Sequence, residues 1–212
     1  MFLTFEGLDA SGKTTQAQLL VDALRARGAA AVHFIREPGG TAISERLREI
    51  LLDRRNLELS DLAELFLFSA SRAQLMREVI APALARGETV VCDRFYDSTT
   101  AYQGYGRGLD LAAIATVNEL ATAGTAPDLT VLVDVTVDEV IRRKHAAGAS
   151  ADRMEKGGRD LFERVRRGYL AIAREHPERV RVVDGMRGVD LVAADILRAV
   201  GERQEQLHKE ER

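Results

Sequence analysis

The chain holds one cysteine, Cys92, in 212 residues, so an internal disulfide is excluded and a reducing compartment fits. No apolar run approaches the ~18 residues of a membrane-spanning helix. A basic leader with a cleavage site is missing as well, because the first residues read directly as a strand; together these give a cytoplasmic, membrane-free expectation. A strong charge of one sign is also lacking. The net charge of −3 argues against bulk nucleic-acid binding and leaves basic chemistry to local clusters. The four histidines (His33, His145, His176, His208) lack metal-ligand spacing, and Cys92 has no partner. Neither a repeat nor an interdomain linker is visible, so 1–212 reads as one domain.

What is present is a globular composition, 46% hydrophobic and 30% charged, organised around one stretch. Gly7-Leu8-Asp9-Ala10-Ser11-Gly12-Lys13-Thr14 fits G-x-x-x-x-G-K-[ST], the phosphate-binding P-loop. A buried-strand pattern precedes it and a helical pattern, Thr15 to Arg27, follows. In such a turn backbone N–H groups converge on a concavity, and the helix N-terminus adds partial positive charge. Gly7 and Gly12 permit close approach of the backbone, Lys13 supplies a mobile charge, and the Thr14 hydroxyl is a ligand for Mg²⁺.

Short β-rich runs alternate with longer helical patterns along the rest of the chain. Strands are expected at 1–6, 31–35, 89–92, 128–135 and 180–183. Helices are expected between them, with Ser60 as an N-cap and Pro82 kinking or restarting the long helix that begins there. Tyr102 to Gly108 reads as an irregular loop because of its glycines, and Leu207 to Arg212 as a frayed tail. The alternation implies an α/β fold, a five-stranded parallel sheet flanked by helices on both faces. Ligands in that architecture bind outside the carboxyl ends of the strands. That rule gathers Glu6–Thr14, Arg36–Gly40 and Asp93–Arg94 into one crevice.

Four further features bear on chemistry. Asp93 ends an apolar strand in the Walker-B manner, a Mg²⁺-holding carboxylate or else a strand-end cap. Arg36 and Arg94 stand at strand ends and Arg72 on a helix; each is a phosphate-binding candidate or a surface arginine. Phe66 and Phe68 read first as helix core, while Tyr102 and Gln103 are available for edge contacts to a base. Between Arg142 and Arg174 ten Lys/Arg stand against four Asp/Glu, either a solvated helical face or a lid (about 142–160) that brings arginines onto phosphates.

Taken in order, Glu6-Gly7 before the P-loop, Arg36-Glu37-Pro38-Gly39-Gly40-Thr41, Ser71-Arg72, Asp93-Arg94-Phe95 and Ala101-Tyr102-Gln103-Gly104 resemble the thymidylate kinase (dTMP kinase) family of P-loop nucleoside monophosphate kinases. Pro127-Asp128-Leu129-Thr130 and Asp152-Arg153 agree, and the resemblance spans nearly the whole chain. It implies a P-loop NTPase-type fold with a mobile lid and a homodimer. The implied reaction is Mg²⁺-dependent transfer of the ATP γ-phosphoryl group to dTMP, giving dTDP and ADP.

Gly7 to Thr14 would then hold ATP, with Arg142 or Arg143 near the adenine and Thr14 and Asp93 at the metal. Asp9 reaches toward the acceptor sugar or its water and metal shell, and Arg94 and Arg36 take the acceptor phosphate. By the same resemblance Phe68 stacks on thymine, Arg72 reaches a base carbonyl, Thr99 and Gln103 meet the base edge, Tyr102 crowds the 2′ position, and Glu37 orders the arginines. Ala10 and Ser11 leave the P-loop without the basic residue that some members carry there, so the resemblance assigns that charge to the lid, Arg153 first. The rival readings are another P-loop kinase, acting on a different monophosphate or on a nucleoside that would need a carboxylate base, and a GTPase-like switch; the latter lacks an Asn-Lys-x-Asp motif.

Overall fold

The structure, a computed structural model, describes residues 1–29, 31–148, 154 and 157–210. Five strands, β1 (Phe2–Glu6), β2 (Val32–Arg36), β3 (Thr89–Asp93), β4 (Leu129–Asp134) and β5 (Val180–Asp184), form one sheet in the order β2-β3-β1-β4-β5, parallel throughout. Side chains on a strand alternate between faces, and both faces here are apolar, as a buried parallel sheet requires. Leu3, Phe5, Val91, Val131 and Val133 point to one face, where α1 (Lys13–Ala26) and α9 (Val189–Glu210) cover them. Phe2, Val90 and Cys92 point to the other and pack with Leu75 and Ile80 from the region of α3 (Asp61–Leu75). Leu132 joins a third cluster with Val140 of α7 (Val137–Ala146) and Leu161, Val165 and Tyr169 of α8 (Gly158–Glu175).

Register decides where function can sit. Phe5 lies beside Asp93 and Arg36 beside Asp93, so the carboxyl ends of β1, β2 and β3 are level. The loops that leave them emerge together. Two other helices complete that end of the molecule: α2 (Ala42–Leu52), capped by Thr41 accepting from the Ser44 N–H, and α6 (Leu111–Thr122), capped by Asp110.

Two expectations change and one is sharpened. The stretch read as an irregular loop is helical: Tyr96–Thr99 is one α-turn (α5) that runs into a π-helix, Thr100–Gly106. Its glycines serve packing, because a Cβ on Gly104 would lie 2.5 Å from Leu111 Cδ2 and one on Gly106 2.9 Å from Val165 Cγ2. The long helix opened by Ser60 passes through a π-turn, Met76–Ile80, before a short helix, Ala81–Ala85, that carries Pro82 in its first turn, where the missing N–H is harmless. The tail residues through Glu210 continue α9. The lid expected at 142–160 falls partly on 149–153 and 155–156, outside the described residues.

The α5 turn is anchored to the sheet by a buried ion pair. Arg179, just before β5, donates to both Asp97 oxygens at 2.7 and 2.8 Å and to Thr130 Oγ1 of β4 at 3.0 Å. Asp97 is buried, so removing its partner leaves an uncompensated charge. Arg179→Met should lower the unfolding free energy by about 3–5 kcal/mol in denaturant melts, and adding Asp97→Asn should recover part of that loss.

Candidate active site

The P-loop adopts the conformation its glycines allow. Gly7 sits at φ +139°, where a Cβ would be 2.5 Å from the Val133 carbonyl oxygen, and Gly12 at φ +95° caps α1. Only glycine fits the first of these without moving β4. Ser11 N–H donates to the Leu8 carbonyl, closing the turn over the start of α1. Lys13 is buried; its Nζ lies 3.4 Å from the Leu8 carbonyl and 3.7 Å from Asp9. Burial and the nearby Arg94 charge both pull the Lys13 pKa down.

Thr14 Oγ1 donates to Asp93 Oδ2 at 2.5 Å, whereas the buried Asp93 Oδ1 has no hydrogen-bond partner among the described residues. A hydroxyl and a carboxylate with a spare oxygen, facing the P-loop, suit a hard cation that takes oxygen ligands and keeps most of its waters. The pair therefore fits Mg²⁺. Among the described residues no group of three or more His, Cys, Asp or Glu gathers as a metal site.

Arg143 and Arg142 separate. Arg143 donates from Nη1 to the Ala10 and Ser11 carbonyls at 3.2 and 3.0 Å and from Nη2 to the Gly185 carbonyl, bracing the P-loop from outside. Arg142 is exposed and forms a two-point bond to Glu139 on its own helix. Arg153 lies outside the described residues.

Arg94 follows β3 at φ +73°, a left-handed backbone that costs energy for a residue with a Cβ. That bend turns its guanidinium back over the P-loop. Nη1 lies 3.0 Å from each of the Gly7 carbonyl, Ser98 Oγ and Tyr169 Oη, and Nη2 donates to Asp9 Oδ1 at 2.6 Å. Tyr102 supplies its ring face, 5.2 Å from the guanidinium carbon. Burial would raise the Asp9 pKa, but the Arg94 and Lys13 charges outweigh it and hold the carboxyl well below its ordinary range. A carboxylate so firmly ionised is a poor proton acceptor.

Beside Arg94 opens a pocket lined by Leu52, Phe68, Thr99, Tyr102 and Gln103, together with the buried Arg72 and Glu37. Arg72 is fully buried and each of its nitrogens has a partner: Nε lies 2.8 Å from Glu37, Nη1 donates to Asn118 Oδ1, and Nη2 to Thr99 Oγ1, with an N–H to spare for the pocket. Gln103 Nε2 donates to Glu64. Thus Asp9, Glu37, Phe68, Arg72, Arg94, Thr99, Tyr102 and Gln103 line one cavity adjoining the P-loop. Arg36 does not join them. It is exposed and its Nη2 pairs with Glu45 of α2 at 3.0 Å, outside the residues that line the cavity.

Sequence reasoning missed six contributors. Arg48, Leu52, Ser98 and Met154 line the pocket, Asn118 fixes Arg72, and Tyr169 holds Arg94. Each arrives through tertiary folding, from stretches whose local pattern carries no functional signal. Glu6, quoted only as a motif letter, is a buried hub that accepts from Phe95 N–H, Ser98 Oγ and Tyr169 Oη at 2.8, 2.6 and 3.0 Å. Its pKa is raised to about 7, by burial first and then by the Asp97 charge.

Burial likewise raises Glu37 to about 7 against the opposing Arg72 charge. The folded protein then holds a proton that the unfolded chain releases near pH 4.5, so this contribution to stability is full below that pH and is lost as pH rises through 7. Glu37→Gln should flatten the fall in urea midpoint between pH 5 and 8; an unchanged slope would contradict the burial argument.

Comparison with known proteins agrees with this geometry. The family model described as thymidylate kinase matches residues 5–196. A thymidylate kinase of Pelotomaculum thermopropionicum is 48% identical over 201 residues, 95% of this chain and 93% of that one. One of Caldanaerobacter subterraneus subsp. tengcongensis is 46% identical, covering 95% of each. The crystal structure of thymidylate kinase from Ehrlichia chaffeensis superposes with a TM-score of 0.77 at 35% identity, covering 95% of this chain and 98% of that one. With nearly its whole length matched in sequence and in fold, this chain belongs to the thymidylate kinase family.

Proposed function

We propose that the protein transfers the γ-phosphoryl group of ATP to the 5′-phosphate of dTMP, giving dTDP and ADP in the synthesis of dTTP. The observation that carries this reading is the position of Arg94, a held cation between a P-loop and an aromatic-walled pocket. A phosphorylated acceptor needs a fixed charge there, whereas a nucleoside acceptor needs a carboxylate base. Asp9, the nearest carboxylate, is tied to Arg94 and Lys13.

In this mechanism Gly7 to Gly12 and Lys13 hold the donor phosphates, and Arg143 supports the loop that does so. Thr14 and Asp93 would hold Mg²⁺, which when bound would supply charge neutralisation for the transferring phosphoryl group. Phe68 faces the thymine ring, and Arg72, Thr99 and Gln103 read its edge. Tyr102, beside Asp9 and Arg94, excludes a 2′-hydroxyl. Arg94 grips the acceptor phosphate, whose oxygen is already nucleophilic at neutral pH. Catalysis is then alignment of two polyanions with compensation of their charge, and Arg153 contributes the last of that charge.

The protein works as a single domain, in the cytoplasm with its nucleotide substrates and without nucleic-acid or membrane partners; recovery of the activity in a membrane fraction would overturn that placement. It pairs as a homodimer through α2, α3 and α6, where Ile43, Ile50, Leu62, Phe66 and Leu120 are exposed. Sedimentation should give twice the chain mass at micromolar concentration and the single mass for Phe66→Glu; a monomeric parent protein would refute the pairing.

The substrate assignment is tested by ADP release with dTMP, dCMP, AMP and GMP. dTMP should be preferred by at least about ten-fold, and equal rates with any other would sink the assignment. In the same assay Arg94→Ala should raise KM for dTMP and lower kcat, while Arg153→Ala should lower kcat about 10³-fold with little change in dTMP affinity.

A further inference from the structure

We infer that Tyr169 of α8 is a positioning residue for the acceptor phosphate, acting through Arg94. The inference rests on the reading of Arg94 given above and adds to it a residue outside the pocket lining.

Three observations place it. Tyr169 is buried, and its hydroxyl sits 3.0 Å from Arg94 Nη1, 2.8 Å from Ser98 Oγ and 3.0 Å from Glu6 Oε2. A phenol in this position has one proton and two lone pairs, which suits accepting from the guanidinium while donating to Glu6 or Ser98. Burial, then the Glu6 charge, push its pKa well up, so it keeps that proton. The guanidinium is therefore gripped on opposite sides: Asp9 takes Nη2, while Tyr169, Ser98 and the Gly7 carbonyl take Nη1.

The helix is made to deliver this hydroxyl. Gly168, immediately before Tyr169, lies against the Tyr105 ring, and a Cβ there would come within 2.7 Å of three Tyr105 carbons. Gly106 repeats the close approach from the other side, against Val165 and Leu161 of α8. Two glycines thus seat α8 on the π-helix at a depth that brings the phenol into hydrogen-bond range of Arg94. Tyr102, on that π-helix, meets the Tyr169 ring edge-on at 6.3 Å. An incoming phosphate competes with Asp9 for Nη2, and the Nη1 side keeps the fork oriented while that exchange occurs.

The test separates positioning from general loss of structure by comparing dTMP with thymidine, which lacks the phosphate. Tyr169→Phe should weaken dTMP binding on the order of ten-fold, the effect of a hydrogen bond to a charged group, and leave thymidine and ATP affinity unchanged. Against Arg94→Ala the same substitution should change dTMP affinity by less than about two-fold. Equal weakening of dTMP and thymidine, or a full ten-fold effect without Arg94, would overturn the inference. If Arg94→Ala itself fails to discriminate dTMP from thymidine, the reading of Arg94 falls instead. Should Tyr169→Phe not fold, Gly168→Ala, which shifts α8 without removing a polar group, is judged by the same criterion.

Discussion

A guanidinium held out of bulk water must have its charge and its donors answered by the protein, and at Arg94 that requirement ties the fold together. Its backbone N–H bonds to the Phe5 carbonyl of β1, its side chain reaches the Gly7 carbonyl and Asp9 of the P-loop, and α5 and α8 contribute Ser98 and Tyr169. A left-handed backbone at φ +73° is accepted to achieve it. Because these partners come from distant parts of the chain, Arg94 cannot sit correctly unless β1, β3 and α8 are already packed. Glu6, directly behind, receives the same serine and tyrosine hydroxyls and completes the shell.

The arrangement divides labour between two halves of one crevice. On the donor side, backbone N–H groups, Lys13 and the Thr14–Asp93 pair suit a triphosphate and its ion. On the acceptor side, side chains dominate, and their orientation is imposed by neighbours: Glu37, Asn118 and Thr99 fix Arg72, and Glu64 fixes Gln103. A P-loop alone is a general phosphate cradle. Specificity enters through these buried side chains, where an unmatched polar group would be costly.

Much of the fold was legible because its signals are local. Short apolar runs between helical patterns marked all five strands, and the P-loop announced the crevice. The site was legible where a residue adjoined such a signal, as with Asp9, Asp93 and Arg94. Sequence alone does not say which partner a residue meets when that partner is tertiary: Arg36 ends a strand and pairs with Glu45, and Arg142 and Arg143 differ only in which face of α7 they occupy. Gly104 and Gly106 looked like loop formers, yet they permit close packing of a helix, a role set by neighbours distant in sequence. Asn118, Ser98 and Tyr169 carry no local mark.

The central claim is that one held arginine joins the two halves of the crevice. The most direct measurement is a crystal structure of the protein with dTMP bound. The account predicts the phosphate within hydrogen-bond distance of the Arg94 guanidinium and the thymine ring stacked on Phe68. A phosphate seated away from Arg94, or a base outside the Phe68–Gln103 pocket, would contradict it.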